Sequence, residues 1–416
     1  MAQDFTVDRN SPKWVLGADG YLKEYIADAP AIEFNADGSY KGVLVEPQSV
    51  NTQTYSEDFR DTATAGTTRP WLNDNVTVSI SGTVYAPDNT LTANRLTQTV
   101  FTSDSSTISD GFSLTGGTVY SWSVFVKADQ NSRFRLWVVL SNQGFGADFN
   151  LVTLTYSDLG LSGGNLNVAS IRDYGNGWYR CSVSGTRTNS STVSARFDIL
   201  DASGSISYNG DGVSGLYLWG AQLEASPIAT SYIPTTTGAV TRLKDDIYLT
   251  SASSLIGQTE GTLFVEVDWQ LTSGTTQILL GATDASFNNG FRIYNDSSPV
   301  NLIMRARAGG VDLTVQGEAS TAYTGIQKIA FAYAENDFEL YRNGSSISSD
   351  TSGSLSALAT VTDIDFGQSA TSASQANMWI RAVALFTTRL SDAEVYSLTG
   401  YDTYAQMANA LQYTIL

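Results

Sequence analysis

Residues 119–140 read VYSWSVFVKADQNSRFRLWVVL. In the first half Tyr120, Trp122, Val124 and Val126 fall on one side of an extended chain. In the second half Phe134, Leu136, Val138 and Leu140 share one side, and Arg133, Arg135 and Trp137 share the other. Successive side chains of a strand point to opposite faces, so a two-residue rhythm of apolar residues marks one buried and one solvated face. Two such runs joined by a short polar stretch predict antiparallel strands packed as a sandwich.

The rhythm recurs on both sides of this stretch. WYRCSVS divides into Tyr179, Cys181 and Val183 against Trp178, Arg180 and Ser182, and ARFDIL into Ala195, Phe197 and Ile199 against Arg196 and Asp198. In LYLWGAQLE the residues Tyr217, Trp219, Ala221 and Leu223 fall on one face. That assigns Trp219 to the core of the first sandwich rather than to a platform for a sugar ring. Residues 53–236 are therefore expected to form one sandwich. SYIPTTTGAVTRLKDD, from 231 to 246, reads as an extended exit. Alternation resumes from GTLFVEVDWQ to MWIRAVALF, and residues 237–398 are expected to form a second sandwich. Within it, Asn343-Gly344 is a strong hairpin signal.

Before the first sandwich, residues 1–52 hold two turns, Gly17-Ala18-Asp19-Gly20 and Asn35-Ala36-Asp37-Gly38, between short apolar runs. They predict two hairpins, a segment too small to fold alone that must dock on a domain or a neighbouring subunit. Helix is expected only at the end. Ser391-Asp392-Ala393-Glu394 has capping-box spacing, and a short amphipathic helix follows within a tail at 399–416. The fold class is all-β: two tandem antiparallel sandwiches with an N-terminal hairpin segment and a short C-terminal helix.

The composition suits many short strands, with 36 Gly, 21 Tyr and 17 Phe among 416 residues. A net charge of −18, from 41 acidic and 23 basic residues, argues against nucleic acid as a partner. The absence of His removes imidazole bases and His-ligated metals, and the single Cys181 cannot pair within the chain. No apolar run is long enough to span a bilayer, so membrane insertion is not expected.

KGVLVEPQSVNTQTYSEDF, APDNTLTANRLTQT, GTVYSWSVFVKA, GNGWYRCSVSGT and LYLWGAQLEASPIATSYIPTTTGAVTR resemble a module of tailed-bacteriophage structural proteins that behaves as a carbohydrate-binding-module jelly roll. KIAFAYAENDFELYRNGSSI and IRAVALFTTRLSDAEVYSLT resemble the concanavalin/laminin-G-like sandwich that often follows it. The resemblance covers most of residues 42–400. It implies a fibre, spike or decoration protein on the capsid or tail surface of a virion. The implied partners are other phage structural proteins, copies of itself in a homo-oligomer, and host cell-surface polysaccharide. A purely structural decoration without glycan binding is the alternative, and a polysaccharide depolymerase the third reading.

The sequence offers three candidate sites. Arg133, Arg135 and Trp137 share a polar face, and Trp178, Arg180, Arg196 and Asp198 are expected to share one too. A Trp beside Arg and Asp supplies a flat apolar surface for a sugar's C–H groups and partners for its hydroxyls. Glu266-Val267-Asp268-Trp269-Gln270 resembles the Glu-x-Asp-x-Glu strand of retaining glycosidases, but Gln270 replaces a required carboxylate and the segment reads as an outer strand. The expectation is no enzyme. Asn209-Gly210-Asp211-Gly212, Asp245-Asp246 and Asp363-Ile364-Asp365 leave structural Ca²⁺ open, without dedicated ligand spacing. The turn reading of NGDG is preferred, and no cofactor is expected.

Overall fold

The structure, a computed structural model, describes residues 5–62, 66, 68–270, 276–286, 288–297, 300–319, 324–367, 376–401 and 406. It is nearly all β. The first sandwich has two six-stranded antiparallel sheets. One runs Thr155–Asp158, Gln143–Asn150, Arg133–Leu140, Ser191–Ile199, Ser106–Leu114, Leu72–Asp74 in spatial order. The other runs Gly164–Asp173, Trp178–Arg187, Val119–Ala128, Gly215–Glu224, Asn94–Gln98, Val76–Ile80. Their facing sides bury the alternating residues read from sequence, among them Trp122, Val124, Phe134, Leu136, Cys181, Val183, Ala195 and Phe197. Phe134 stacks on Phe149 and Phe197, with ring centroids 5.2 and 4.8 Å apart, because the register sets these strands side by side. Burial in this apolar core pushes the Cys181 thiol well above its ordinary range, so it stays an inert thiol.

The second sandwich has two seven-stranded sheets, and its strands come from both sides of the first. One sheet begins with Thr6–Asp8 beside Asp246–Leu249. In the other, Tyr40–Val45 pairs with Met378–Phe386, and Ile32–Phe34 forms the outermost strand. Both predicted N-terminal hairpins are present, around Gly17–Gly20 and Asn35–Gly38. Of residues 1–52, expected as a unit of their own, Thr6–Asp8, Ile32–Phe34 and Tyr40–Val45 pair into the sheets of the later sandwich, while the first hairpin, Lys13–Tyr25, packs on the outer face of the first. The physical reason is that open sheet edges carry unpaired backbone N–H and C=O groups, and these strands satisfy them. The core of this sandwich is built on Leu263, Val265, Val267 and Trp269 of Gly261–Gln270. That strand lies at the centre of its sheet, not on the outside as its sequence suggested. The helix Asp392–Gly400 covers the opposite face through Val395 and Leu398 on Phe264, and Glu394 accepts the Ser391 backbone N–H at 2.8 Å. The amphipathic stretch expected after Asp402 lies outside the described residues apart from Gln406.

Trp219 is fully buried, but not between the sheets. Leu216 and Leu218 point into the sandwich, a register shift follows, and Ala221 and Leu223 point in again. Gly220, at φ 64°, sits in this bulge. An extra residue there reverses the alternation, so Tyr217 and Trp219 face outward. The outward face is capped by Leu16 and Leu22 of the first hairpin and by Tyr232, whose ring centroid lies 4.6 Å from that of Trp219.

Glu57 lies at the rim of this outer cluster, accepting the Tyr232 hydroxyl at 3.1 Å. Burial, with Asp88 nearby, raises its carboxyl to about 7 from an ordinary 4.5. Between those values the folded chain keeps a proton that the unfolded chain has released, so Glu57 lowers stability as pH rises through the window. Glu57→Gln is expected to gain about 1–2 kcal/mol relative to wild type on going from pH 4.5 to pH 8, after discounting for partial exposure. Urea unfolding at both pH values measures it; an unchanged difference would refute the assignment.

Candidate functional site

The polar face predicted on the first sheet exists, and it is internally satisfied. Register places Arg135 opposite Asp198 and Trp137 opposite Arg196. The guanidinium carbons of Arg135 and Arg196 lie 5.3 and 5.0 Å from the Trp137 ring centroid. Arg135 makes a bidentate pair with Asp148, at 2.7 and 3.0 Å. Trp137 donates its ring N–H to Asp198, which also accepts from Thr107 and from Arg196. Burial keeps the Asp198 carboxyl above its usual range despite these partners. Trp137 is 5% exposed, so its ring offers little surface for stacking. Arg133, at the end of the same strand, faces a separate shallow groove of about 340 Å³ with Asn131, Asn150 and Asp201.

Trp178 and Arg180 do not join Arg196 and Asp198. They lie on the outer face of the other sheet, because a two-residue rhythm does not say to which sheet a strand belongs. Trp178 is 1% exposed under the first hairpin and donates to the Tyr85 carbonyl at 2.9 Å. Arg180 donates to the Thr230 carbonyl and, at 3.0 Å, to the Ser123 hydroxyl.

Beyond Arg180 that outer face opens into a cleft of about 390 Å³ between the two sandwiches. One wall is formed by Arg172, Tyr174, Ser182 and Ser184 of the first sandwich. The other is formed by Glu33, Asp268 and Trp379 of the second, and Thr230 and Ser231 of the exit segment close one side. The outward positions Arg180 and Ser182 were legible as alternation, but the small size of Ser182 and Ser184 was the unread signal that room is left there. Glu33 anchors the junction: it accepts from Arg172 at 2.6 Å and from the Trp379 ring N–H. Lys41 Nζ lies 3.5 Å from the Trp379 ring centroid, and Arg172 reaches over Tyr174 at 4.9 Å. The Ser184 hydroxyl, in the wall, has no hydrogen-bond partner among the described residues. Asp268 lines the cleft, while Glu266, two residues earlier on the same strand face, is paired with Arg381 at 2.8 Å.

The cleft is held by a buried ionic cluster. Arg9 meets Asp245 at 2.8 Å; Lys13 meets Asp245 and Glu46 at 2.5 and 3.0 Å; Arg242 lies 3.6 Å from Glu46. All five side chains are at most 3% exposed. Burial alone would raise the Glu46 carboxyl, but Arg242 and Lys13 hold it well below the usual carboxylate range. Asp245, read from sequence as a Ca²⁺ candidate, is thus bound by Arg9 and Lys13, with Arg242 at 4.0 Å. Asp211 of NGDG accepts the backbone N–H groups of Val213 and Ser214 at 2.9 and 2.7 Å, an ordinary turn. Asp365 is raised to about 6 by burial and by Asp246 and Asp363. Among the described residues, no group of three or more His, Cys, Asp or Glu side chains is placed to hold a metal. Also among them, no helix is long and apolar enough to cross a membrane.

No family model matches the chain, and no curated protein does. Solved structures similar to it include the CBM40 carbohydrate-binding module of the Ruminococcus gnavus IT-sialidase, at 16% identity and TM-score 0.30 over 36% of this chain and 87% of that one. A second is a botulinum neurotoxin type C structure described for its interaction with two ganglioside molecules, at 14% identity and TM-score 0.32. The match covers 41% of each chain, so this chain spans under half of that structure's length. Sheep galectin-11 is a third, at 12% identity and TM-score 0.23 over 34% of this chain and 93% of that one.

Proposed function

We propose that this chain is a non-enzymatic structural protein of a tailed-bacteriophage particle that binds host-surface glycans, with the saccharide held in the cleft between its sandwiches. The cleft carries the reading. It is a concave site at a domain junction that combines aromatic and aliphatic walls with a few convergent polar groups, as small-ligand sites do. Its volume accommodates one or two sugar rings, and Asp268, Arg172 and the wall hydroxyls supply the acceptors and donors that ring hydroxyls require. The particle context rests on the sequence motifs between residues 42 and 400. Many copies on one particle would turn weak single sites into firm attachment through effective concentration.

Glycan arrays and whole-cell binding test the proposal. Asp268 is part-exposed and, among the described residues, no hydrogen bond or salt bridge engages it, so Asp268→Ala is expected to weaken binding about tenfold while leaving thermal stability within about 0.5 kcal/mol. Absence of binding to every glycan and to cells would remove the recognition half. The ion-paired Arg135–Trp137–Arg196 face favours a second reading of that surface, as a rigid structural wall. Release of oligosaccharides by the purified protein, abolished by Glu266→Gln, would establish a depolymerase instead.

A further inference from the structure

We propose, resting on the saccharide reading of the cleft, that its ligand is an anionic glycan whose carboxylate or phosphate is received by Lys41 and Arg172 beside Trp379. The chain as a whole carries −18, yet cations gather here. Lys41 and Arg172 both approach the Trp379 ring, at 3.5 and 5.4 Å from its centroid, and Arg381 donates to the Lys41 carbonyl at 3.0 Å. Arg180 stands in the wall of the same cleft. The neighbouring acids are mostly engaged: Glu33 with Arg172 and the Trp379 ring N–H, Glu46 with Lys13 and the Ser231 backbone N–H, and Glu266 with Arg381. Arg180 is bound to a carbonyl and a hydroxyl, neither of which neutralises it. Lys41 makes no hydrogen bond and no salt bridge among the described residues. Its ammonium is held over the Trp379 ring, a contact that fixes its position but leaves its N–H donors free.

The remaining acid, Asp268, lies near enough to favour the charged Lys41 and lines the cleft itself. A carboxylate is an acceptor for sugar hydroxyls, so Asp268 and the cationic pair divide the ligand between a polyol part and an acidic group. The lining carries both signs, Arg172 and Arg180 beside Glu33, Glu46 and Asp268. Glu33 and Glu46 are ion-paired, so the end around Lys41 and Arg172 attracts an anion on a chain whose remaining surface repels it. Lys41 also makes the site pH-sensitive. Burial and then Arg172, with Arg381, bring its ammonium down to about 8 against the pull of Glu33 and Asp268, so the cation fades above that pH.

The test measures binding isotherms of the full chain for polygalacturonate, which carries carboxylates, for polyglycerol phosphate, and for neutral dextran. At least one anionic polymer is expected to bind more tightly than dextran near pH 7, and the one that binds identifies the acidic group. Lys41→Gln is expected to lose about tenfold in that affinity, and Lys41→Arg to retain it. Raising the pH to about 9.5 should weaken wild type but not Lys41→Arg, whose guanidinium stays charged. Circular dichroism and thermal melts confirm that both variants fold. Anionic binding unchanged in Lys41→Gln overturns the proposal. Binding of dextran alone, weakened by Asp268→Ala, overturns it while the cleft remains a sugar site. Binding of none of the three polymers, together with silent glycan arrays, brings down the cleft reading as well.

Discussion

Asp245→Ala is expected to destabilise the folded chain by about 3–5 kcal/mol, the cost of breaking a buried ion pair by removing one partner. Asp245 accepts from Arg9 and Lys13 and from the Glu46 backbone N–H at 2.8 Å, and it is 1% exposed. Without it, Arg9, Lys13 and Arg242 face Glu46 alone, and three buried cations share one anion. Repulsion and lost solvation then act together, since none of these groups can reach water without opening the junction. Asp245→Asn keeps the size and one acceptor oxygen but not the charge, and should recover only part of the loss. The exposed pair Lys23–Asp19, with side chains about half exposed, is the control: Asp19→Ala should stay within about 0.5 kcal/mol. Guanidinium unfolding measures all three. A loss below about 1 kcal/mol for Asp245→Ala would show that the cluster does not hold the junction.

Trp219→Ala should cost a similar amount, about 3–5 kcal/mol, the range for removing a fully buried aromatic. Its ring packs against Phe125 at 5.5 Å and Tyr232 at 4.6 Å, and its N–H donates to the Thr92 hydroxyl at 3.0 Å. The location of the damage is the sharper expectation. Because Trp219 lies between the sheet and the first hairpin, its loss should speed amide exchange in residues 13–25 while Arg133–Leu140, across the sandwich, stays protected. Equal loss of protection in both would place the ring in the inter-sheet core after all.

The same tryptophan shows how far alternation carries. Wherever a strand is regular, as in Val119–Ala128 and through Val138 of Arg133–Leu140, the two-residue rhythm picks out the face between the sheets, although Phe125 and Trp137 on the outer faces are buried too and Leu140 is exposed. One bulge at Gly220 inverts it, and nothing short of the pairing register reveals that an extra residue has been inserted. Partner choice is less legible still. Tyr40–Val45 looks like half of a local hairpin, which it is, and its other neighbour lies at the far end of the chain. Arg135 and Trp137 were readable as neighbours on one strand, and Arg196 and Asp198 on another, but that these two strands pair while Trp178 and Arg180 belong to the other sheet was not. The cleft was not, since Lys41, Arg172, Asp268 and Trp379 come from distant stretches that no local spacing relates. Asp245 was legible only as a candidate oxygen ligand beside Asp246, and the junction of two domains is what buries it against Arg9 and Lys13.

The nested order of strands also sets a timetable for synthesis. The Tyr40 hydroxyl reaches the Ile380 carbonyl across a sequence separation of 340. At about 5–20 residues per second, the earliest strands emerge from the ribosome on the order of tens of seconds before the edge they complete exists. The middle of the chain can fold meanwhile, which makes the first sandwich the scaffold on which the opening segment waits. A pause or truncation after residue 236 would therefore leave a finished central domain trailing an unmatched, edge-exposed leader, the species that chaperones would be called on to shield.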